Sequence, residues 1–273
     1  MYVLNTRPCD SFQPLSEALA DAGMPCVHLP LLDIEPMAVD AEMMQKLQAI
    51  PQMNAIVVLS PRAAELGLAY VQSSRVRLAD DLQWFAIGTS TARVLQQAGF
   101  TVTTPALETS EGALQLAELT GMAAGTQVMI WRGRGGRQVL ATHLENQGVI
   151  LTEVVWYERR QPSQLAARWH ALLSRDGWPD RVLISSGESW QQWRELTQHD
   201  SIRPELWVLG ERVSEQIRGE AHALHWGTPH IRTVNRLNPA YLLELGLAVP
   251  PCASMTGGVH HPSSSAGLIG QTQ

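Results

Sequence analysis

Lysine is nearly missing from this chain: of its 20 basic residues only Lys46 is one, and the rest are arginine. The planar fork of arginine suits two-point binding of carboxylates, although the codon preference of a GC-rich genome explains the same ratio without any site. The net charge of −6 leaves no surplus of positive charge, which excludes a nucleic-acid binder that relies on a basic face. Cysteine is scarce too. Cys9, Cys26 and Cys252 are odd in number and lack Cys-x-x-Cys spacing, which favours reduced thiols over a disulfide framework and argues against zinc. No stretch reaches the roughly 20 apolar residues that span a bilayer, and Met1–Arg7 has no basic segment followed by an apolar core. The expectation is a soluble, cytoplasmic protein with no membrane and no nucleic-acid partner.

What the chain does have is an internal repeat at a spacing of about 125 residues. Tyr2–Thr6, followed by an apolar-periodic stretch that stops at Gly23, matches Gln127–Trp131, followed by a similar stretch that stops at Gly148. Asn54–Ser60 matches Asp180–Ser186, and Trp84–Gly88 matches Leu206–Gly210. Each block is a short apolar run leading into a helical period, the signature of a parallel strand buried on both faces. A length of 273 residues is comfortable for two domains and provides for two cores. From Pro250 onward Pro-Pro, Gly-Gly, His-His and Ser-Ser-Ser crowd together without apolar period, so 250–273 reads as a flexible tail.

In open α/β sheets ligands bind beyond the carboxyl ends of the strands, where helix N-termini present N–H groups and partial positive charge. This chain puts small polar residues at those places: Thr6-Arg7-Pro8, Ser60-Pro61-Arg62, Gly88–Thr91, Thr109–Gly112 and Ser185–Ser189. Each has a second explanation, because Ser and Thr are ordinary N-caps and Pro suits a first helical turn. Other signals are weaker. Arg132–Arg137 lacks both the repeated context of an RGG segment and the ending of a Walker loop. His222, His225, His260 and His261 have no partner cluster and read as solvated surface, and Trp190 and Trp193, at helical spacing, read as packing.

Taken in order, Thr6-Arg7-Pro8, Ser60-Pro61-Arg62-Ala63, Gly88-x-x-Thr91-Ala92, Thr109-Ser110-Glu111-Gly112, Arg132-Gly133-x-Gly135-Gly136-Arg137, Tyr157-x-Arg159 and Ser185-Ser186-Gly187-Glu188-Ser189 resemble the uroporphyrinogen-III synthase family. The resemblance covers about Met1 to Val249. It implies closure of the linear tetrapyrrole hydroxymethylbilane to uroporphyrinogen III, with loss of water and inversion of the last pyrrole ring through a spiro intermediate, without metal or organic cofactor. It implies two similar parallel-sheet, flavodoxin-like α/β lobes with the ligand in the cleft between them. One lobe would combine 1–29 with 163–249 and the other would be 39–151, with linker strands at 30–38 and 152–162. The first βα unit would then complete the sheet of the other half. A monomer is expected, with hand-over of substrate from hydroxymethylbilane synthase. A non-catalytic module that binds an anionic tetrapyrrole would need nearly the same contacts.

The resemblance assigns substrate contacts to Thr6, Arg7, Ser60, Arg62, Thr91, Ser110, Gly112, Arg132, Gly133, Ser185, Ser186 and Gly187. It assigns Tyr157 to a donor role at the departing hydroxyl, where a phenol assists without a perturbed carboxylate; packing at the lobe junction accounts for the same tyrosine. After Gly210 the family often carries hydroxyl residues, whereas Glu211-Arg212-Val213-Ser214 stands here, so the family's threonine is not carried over. An Arg212–Glu215 helix-surface pair accounts for that turn. Because the tail lies outside the resemblance and lacks a core pattern, truncation after Val249 should leave the thermal midpoint and the activity unchanged; a large fall in melting temperature would show that the tail packs.

Overall fold

The computed structural model describes residues 1–9, 12–107, 109–135, 138–200, 202–223, 229–235 and 239–247. The tail and residues 136 and 137 lie outside them, as do His225, His260, His261 and the side chains of Ser110 and His222. In chain order the elements are β1 (Val3–Asn5), α1 (Gln13–Asp21), β2 (Cys26–His28), β3 (Asp33–Pro36), α2 (Ala41–Gln48), β4 (Ala55–Val58), α3 (Pro61–Ser73), β5 (Gln83–Ala86), α4 (Thr89–Gln97), β6 (Val102–Thr103), α5 (Ser110–Ala113) and α6 (Ala117–Thr120). There follow β7 (Gln127–Gly133), α7 (Val139–Asn146), β8 (Ile150–Arg160), α8 (Leu165–Asp176), β9 (Arg181–Ile184), α9 (Gly187–Leu196), β10 (Glu205–Leu209), α10 (Glu211–Ala223), β11 (Ile231–Val234) and α11 (Pro239–Leu247).

The strands form two sheets, β2-β1-β9-β10-β11 and β3-β8-β7-β4-β5-β6. All pairings are parallel except β3 with β8. Strand periodicity distributes each sheet's residues between two cores. In the six-stranded sheet Ile56, Val58, Trp84, Ala86, Met129 and Trp131 face α2, α3 and α4, while Ala55, Val57, Phe85, Val128 and Ile130 face α6 and α7. In the other sheet Leu4, Val182, Ile184, Leu206 and Val208 pack on α8, α9 and α10, including Trp190 and Trp193, and Val3, Leu183 and Trp207 pack on α1 and α11. Both tryptophans are thus core residues, as their helical spacing suggested. Covering both faces is what a parallel sheet requires.

Numbered by position, both sheets have the flavodoxin-like order 2-1-3-4-5. In the first, those positions are β2, β1, β9, β10 and β11. In the second they are β8, β7, β4, β5 and β6, so the chain enters the same topology at its third strand. The three repeated blocks, β1 with β7, β4 with β9 and β5 with β10, occupy equivalent places. The first βα unit does complete the sheet of the C-terminal elements, through the parallel pairing of β1 with β9.

One expected boundary is corrected. A break between 151 and 152 falls inside β8, which runs unbroken for 11 residues. Its first part pairs in parallel with β7, from Ile150 to Tyr157, and its last four residues pair antiparallel with β3. The strand expected to be pure connection is therefore also a member of the second sheet.

The tightest packing lies where α3 crosses that sheet. Trp131 is fully buried, edge-on to Trp84 and Trp156 at centroid distances of 5.4 and 5.6 Å. It is covered by Gly67, where a Cβ would overlap the indole ring. The aromatic contacts leave the ring no room to yield, so overpacking outweighs the better helix propensity of alanine. Gly67→Ala should lower the unfolding free energy by about 1–2 kcal/mol net. The check is a lower denaturation midpoint at an unchanged slope; a variant as stable as the parent would mean that the indole shifts freely.

Candidate functional site

Parallel strands place all their carboxyl ends at one edge, and a doubly wound sheet opens a crevice there, where the chain leaves strand 1 and strand 3 in opposite directions. These positions fall between β1 and β9 in one sheet and between β7 and β4 in the other. Nine of the sequence-predicted residues stand at these two points: Thr6, Arg7, Ser185, Ser186 and Gly187 at the first, and Ser60, Arg62, Arg132 and Gly133 at the second. Thr91, buried in the first turn of α4, is one strand further out. Ser110 and Gly112, in α5 after β6, are two strands out.

At the first crevice Thr6 is buried, and its hydroxyl donates to the Leu183 carbonyl, tying β1 to β9. The loop that follows is pinned from two sides. Asn5, fully buried, accepts the Arg7 N–H at 3.2 Å and donates to Ser16 at 2.9 Å. His28 Nε2 lies 2.8 Å from the Arg7 carbonyl and its ring stacks on Phe12 at 3.6 Å. Burial lowers the His28 pKa, which favours the neutral ring with the proton on Nε2. The Ser186 hydroxyl accepts from Ser189 N–H at 3.1 Å, and Ser189 Oγ accepts from Ser186 N–H at 3.0 Å, a reciprocal cap on α9. Gly187 packs against the next helix: a Cβ there would come within 2.6 Å of Gln216 Oε1. A side chain there would have to displace the end of Gln216, which donates to Glu220 at 2.9 Å.

At the second crevice Ser60 caps α3, accepting from Ala63 N–H at 3.2 Å. Thr109 plays the same part for α5, accepting from Gly112 N–H at 3.0 Å. Arg62 forms an ion pair with Glu65 at 3.0 Å on its own helix. Arg132 is turned inward. The residue is 6 % exposed, and its guanidinium pairs with Glu153 at 2.7 Å and donates to the carbonyls of Gly133 and Gly135. Those bonds fix the loop after β7 from within.

Tyr157 stands where β8 changes partners. It pairs with Gly133 of β7 across a register shift and with Pro36 of β3. Its carbonyl accepts from Arg134 N–H at 2.7 Å, and its hydroxyl donates to Ser60 Oγ at 3.1 Å. A Cβ on Gly133 would overlap the tyrosine ring, so glycine is required there for the ring to reach Ser60.

Contacts among the described residues join the crevices. Pro8 and Cys9 from the loop after β1 line a cavity of about 360 Å³ together with Arg62 and with Asp33, Ile34 and Glu35 of β3. Arg159, whose guanidinium lies 5.7 Å from the Tyr157 ring centroid, forms an ion pair with Glu188 of α9 at 3.5 Å. Sequence reasoning gives neither Arg159 nor Glu188 a role, since nothing local signals a pair that crosses between the sheets. At the turn after Gly210, Glu211 pairs with Arg218 at 2.8 Å. Among the described residues no helix is long and apolar enough to cross a membrane, and no group of three or more His, Cys, Asp or Glu could hold a metal ion.

Comparison with known proteins agrees with this geometry. The family model described as uroporphyrinogen-III synthase HemD matches residues 13–226. The uroporphyrinogen-III synthase of Escherichia coli K12 is 30 % identical over 235 residues, covering 80 % of this chain and 91 % of its own. That of Proteus mirabilis is 32 % identical over 161 residues, covering 58 % and 80 %. Among solved structures, a mutant uroporphyrinogen III synthase from the extremely thermophilic bacterium Thermus thermophilus superposes with a TM-score of 0.61 at 14 % identity, covering 90 % of this chain and 98 % of that one. The Helicobacter pylori 26695 uroporphyrinogen-III synthetase does so with 0.58 at 13 %, covering 90 % and 98 %. These two likenesses concern the fold. With the family model spanning most of its length and a relative matched almost end to end, this chain belongs to the uroporphyrinogen-III synthase family.

Proposed function

We infer that the chain closes hydroxymethylbilane to uroporphyrinogen III with loss of water, as two lobes built on the two sheets and joined by β3 and the last residues of β8. What supports this reading is that, in a member of this family, the Arg159–Glu188 pair and the cavity lined by Pro8 and Arg62 each bring together residues from the strand-end crevices of the two sheets. A ligand with carboxylates on every ring is suited to a cleft lined from both sides by helix N-termini. Each exposed N-terminus contributes about 0.3–1 kcal/mol toward an anion. Net negative charge on the protein opposes this only weakly, since salt screens charges beyond about 8 Å.

The residues then take distinct parts. Thr6, Ser60, Ser186 and Thr109 shape the turns so that backbone N–H groups line the cleft, Arg7 and Arg62 stand at its rim, and Tyr157, bonded to Ser60, takes part in the loss of the hydroxyl. In this reading the chain works in the cytoplasm as a monomer and takes its substrate from hydroxymethylbilane synthase. Fresh hydroxymethylbilane incubated with the protein should yield the type III isomer on chromatographic separation; formation of the spontaneous type I isomer alone would leave only a binding module.

Arg132 is assigned the part of a brace, because its donors already have acceptors within the chain. Arg132→Ala strips Glu153 and two loop carbonyls of their partner, and should cost about 1–3 kcal/mol of stability. Denaturant unfolding measures this directly. A variant of unchanged stability with weakened product binding would instead place Arg132 among the substrate ligands.

A further inference from the structure

The hydroxyl of Ser60 has both acceptor positions filled. Ala63 N–H donates to it at 3.2 Å and the Tyr157 phenol at 3.1 Å. A serine hydroxyl has two lone-pair sites and one proton, so donation is what remains, and the proton must point away from both partners. Tyr157 is 3 % exposed, whereas Ser60 is only half-buried at the mouth of the crevice. Of the two hydroxyls, only that of Ser60 has both a free proton and a path to a ligand.

Resting on the cyclisation reading above, the geometry points to Ser60 as the catalytic residue that protonates the departing hydroxyl, with Tyr157 as the positioning residue that supplies Ser60. The C–O bond of the substrate's hydroxymethyl group breaks with both electrons going to oxygen. That oxygen takes the Ser60 proton and leaves as water. The Tyr157 proton crosses to Ser60 Oγ in the same movement. The phenolate regains a proton once the spiro intermediate has reopened and the unsubstituted α-carbon of the inverted ring, on forming the last bond, loses its hydrogen and the pyrrole recovers its aromaticity. The chain ends unchanged and one water has formed. The Arg159 guanidinium, 5.7 Å from the Tyr157 ring centroid, favours the transient negative charge on the phenol.

The test is single-turnover formation of the type III isomer by Tyr157→Phe, Ser60→Ala, Ser60→Asn, Ser60→Thr and the Tyr157→Phe/Ser60→Ala double variant. Asparagine still accepts from Ala63 N–H and caps the helix but has no proton to pass, so it separates chemistry from folding. The phenylalanine, alanine and asparagine variants should each be about 100-fold slower, a common size for the loss of a general acid, with product affinity changed by less than about threefold. Threonine should restore most of the rate. The double variant should be no more than about twofold slower than the slower of its two parents, because one chain of proton transfer is broken once. Losses that multiply in the double variant, or a near-normal rate in Ser60→Asn, would overturn the relay while the cyclisation reading stands. A parent protein that forms no type III isomer would overturn both.

Discussion

Every N–H and C=O of a buried strand must find a partner, and along Ile150–Arg160 two different strands meet that requirement. β7 serves the first part in parallel and β3 the last part antiparallel, with a register shift at the change. A shift of this kind re-aims a side chain, and here the re-aimed residue is Tyr157. Its position depends on three backbones at once: Gly133 leaves space for the ring, Pro36 closes the other side, and Arg134 donates to its carbonyl. The connection between the sheets and the hydroxyl pair at the crevice are therefore one construction. A change that slips β8 by one residue would turn Tyr157 to the opposite face.

The circular relation between the sheets explains why the crevices are equivalent. A duplicated 2-1-3-4-5 unit whose first βα unit is exchanged keeps the same strand order, and so keeps the same crevice between positions 1 and 3. What differs is the loop after position 1. After β1 it is held by Asn5 and His28, neutral side chains around a backbone turn. After β7 it is held by the Arg132–Glu153 pair. The neutral arrangement grips the Arg7 backbone and spends no charge on the turn, while the ionic one draws its arginine inward. The two sheets thus fix equivalent loops by different chemistry.

Much of the fold was legible because short apolar runs before helical periods leave few alternatives. The strands at Val3–Asn5, Ala55–Val58 and Arg181–Ile184 and the helix stops at Gly23 and Gly148, both at positive φ, follow from local pattern. The extent of β8 did not, because its burial is mixed along its length and its change of partner depends on a register no local period encodes. The site was legible as a set of places more than as a set of contacts. Ser60 and Ser186 stand where expected, yet their oxygens cap helices, which is the ordinary explanation of such residues. The direction of Arg132 was hidden because Glu153 is 21 residues away. A glycine at 187 suits close approach of a ligand, and the structure also places the end of the Gln216 side chain beside it.

These placements narrow how a highly anionic ligand is held. Of the arginines at the strand ends, Arg132 is paired inward, Arg62 pairs along its helix and Arg159 is shared with Glu188. Arg181 and Arg232 meet at Glu205 at the opposite, amino-terminal end of the strands. Burial raises the Glu205 pKa, but the hydrogen bonds and charges of the two arginines outweigh it and hold the carboxyl below its ordinary value, so that cluster is a fixed strut. Arg132, Arg62 and Arg159 thus each have an acidic partner within the chain. On the proposed reading, recognition falls on oriented N–H groups at several helix ends, each contributing little, and no single side chain is indispensable for affinity. Catalysis differs in this respect, because a proton must leave from one defined atom.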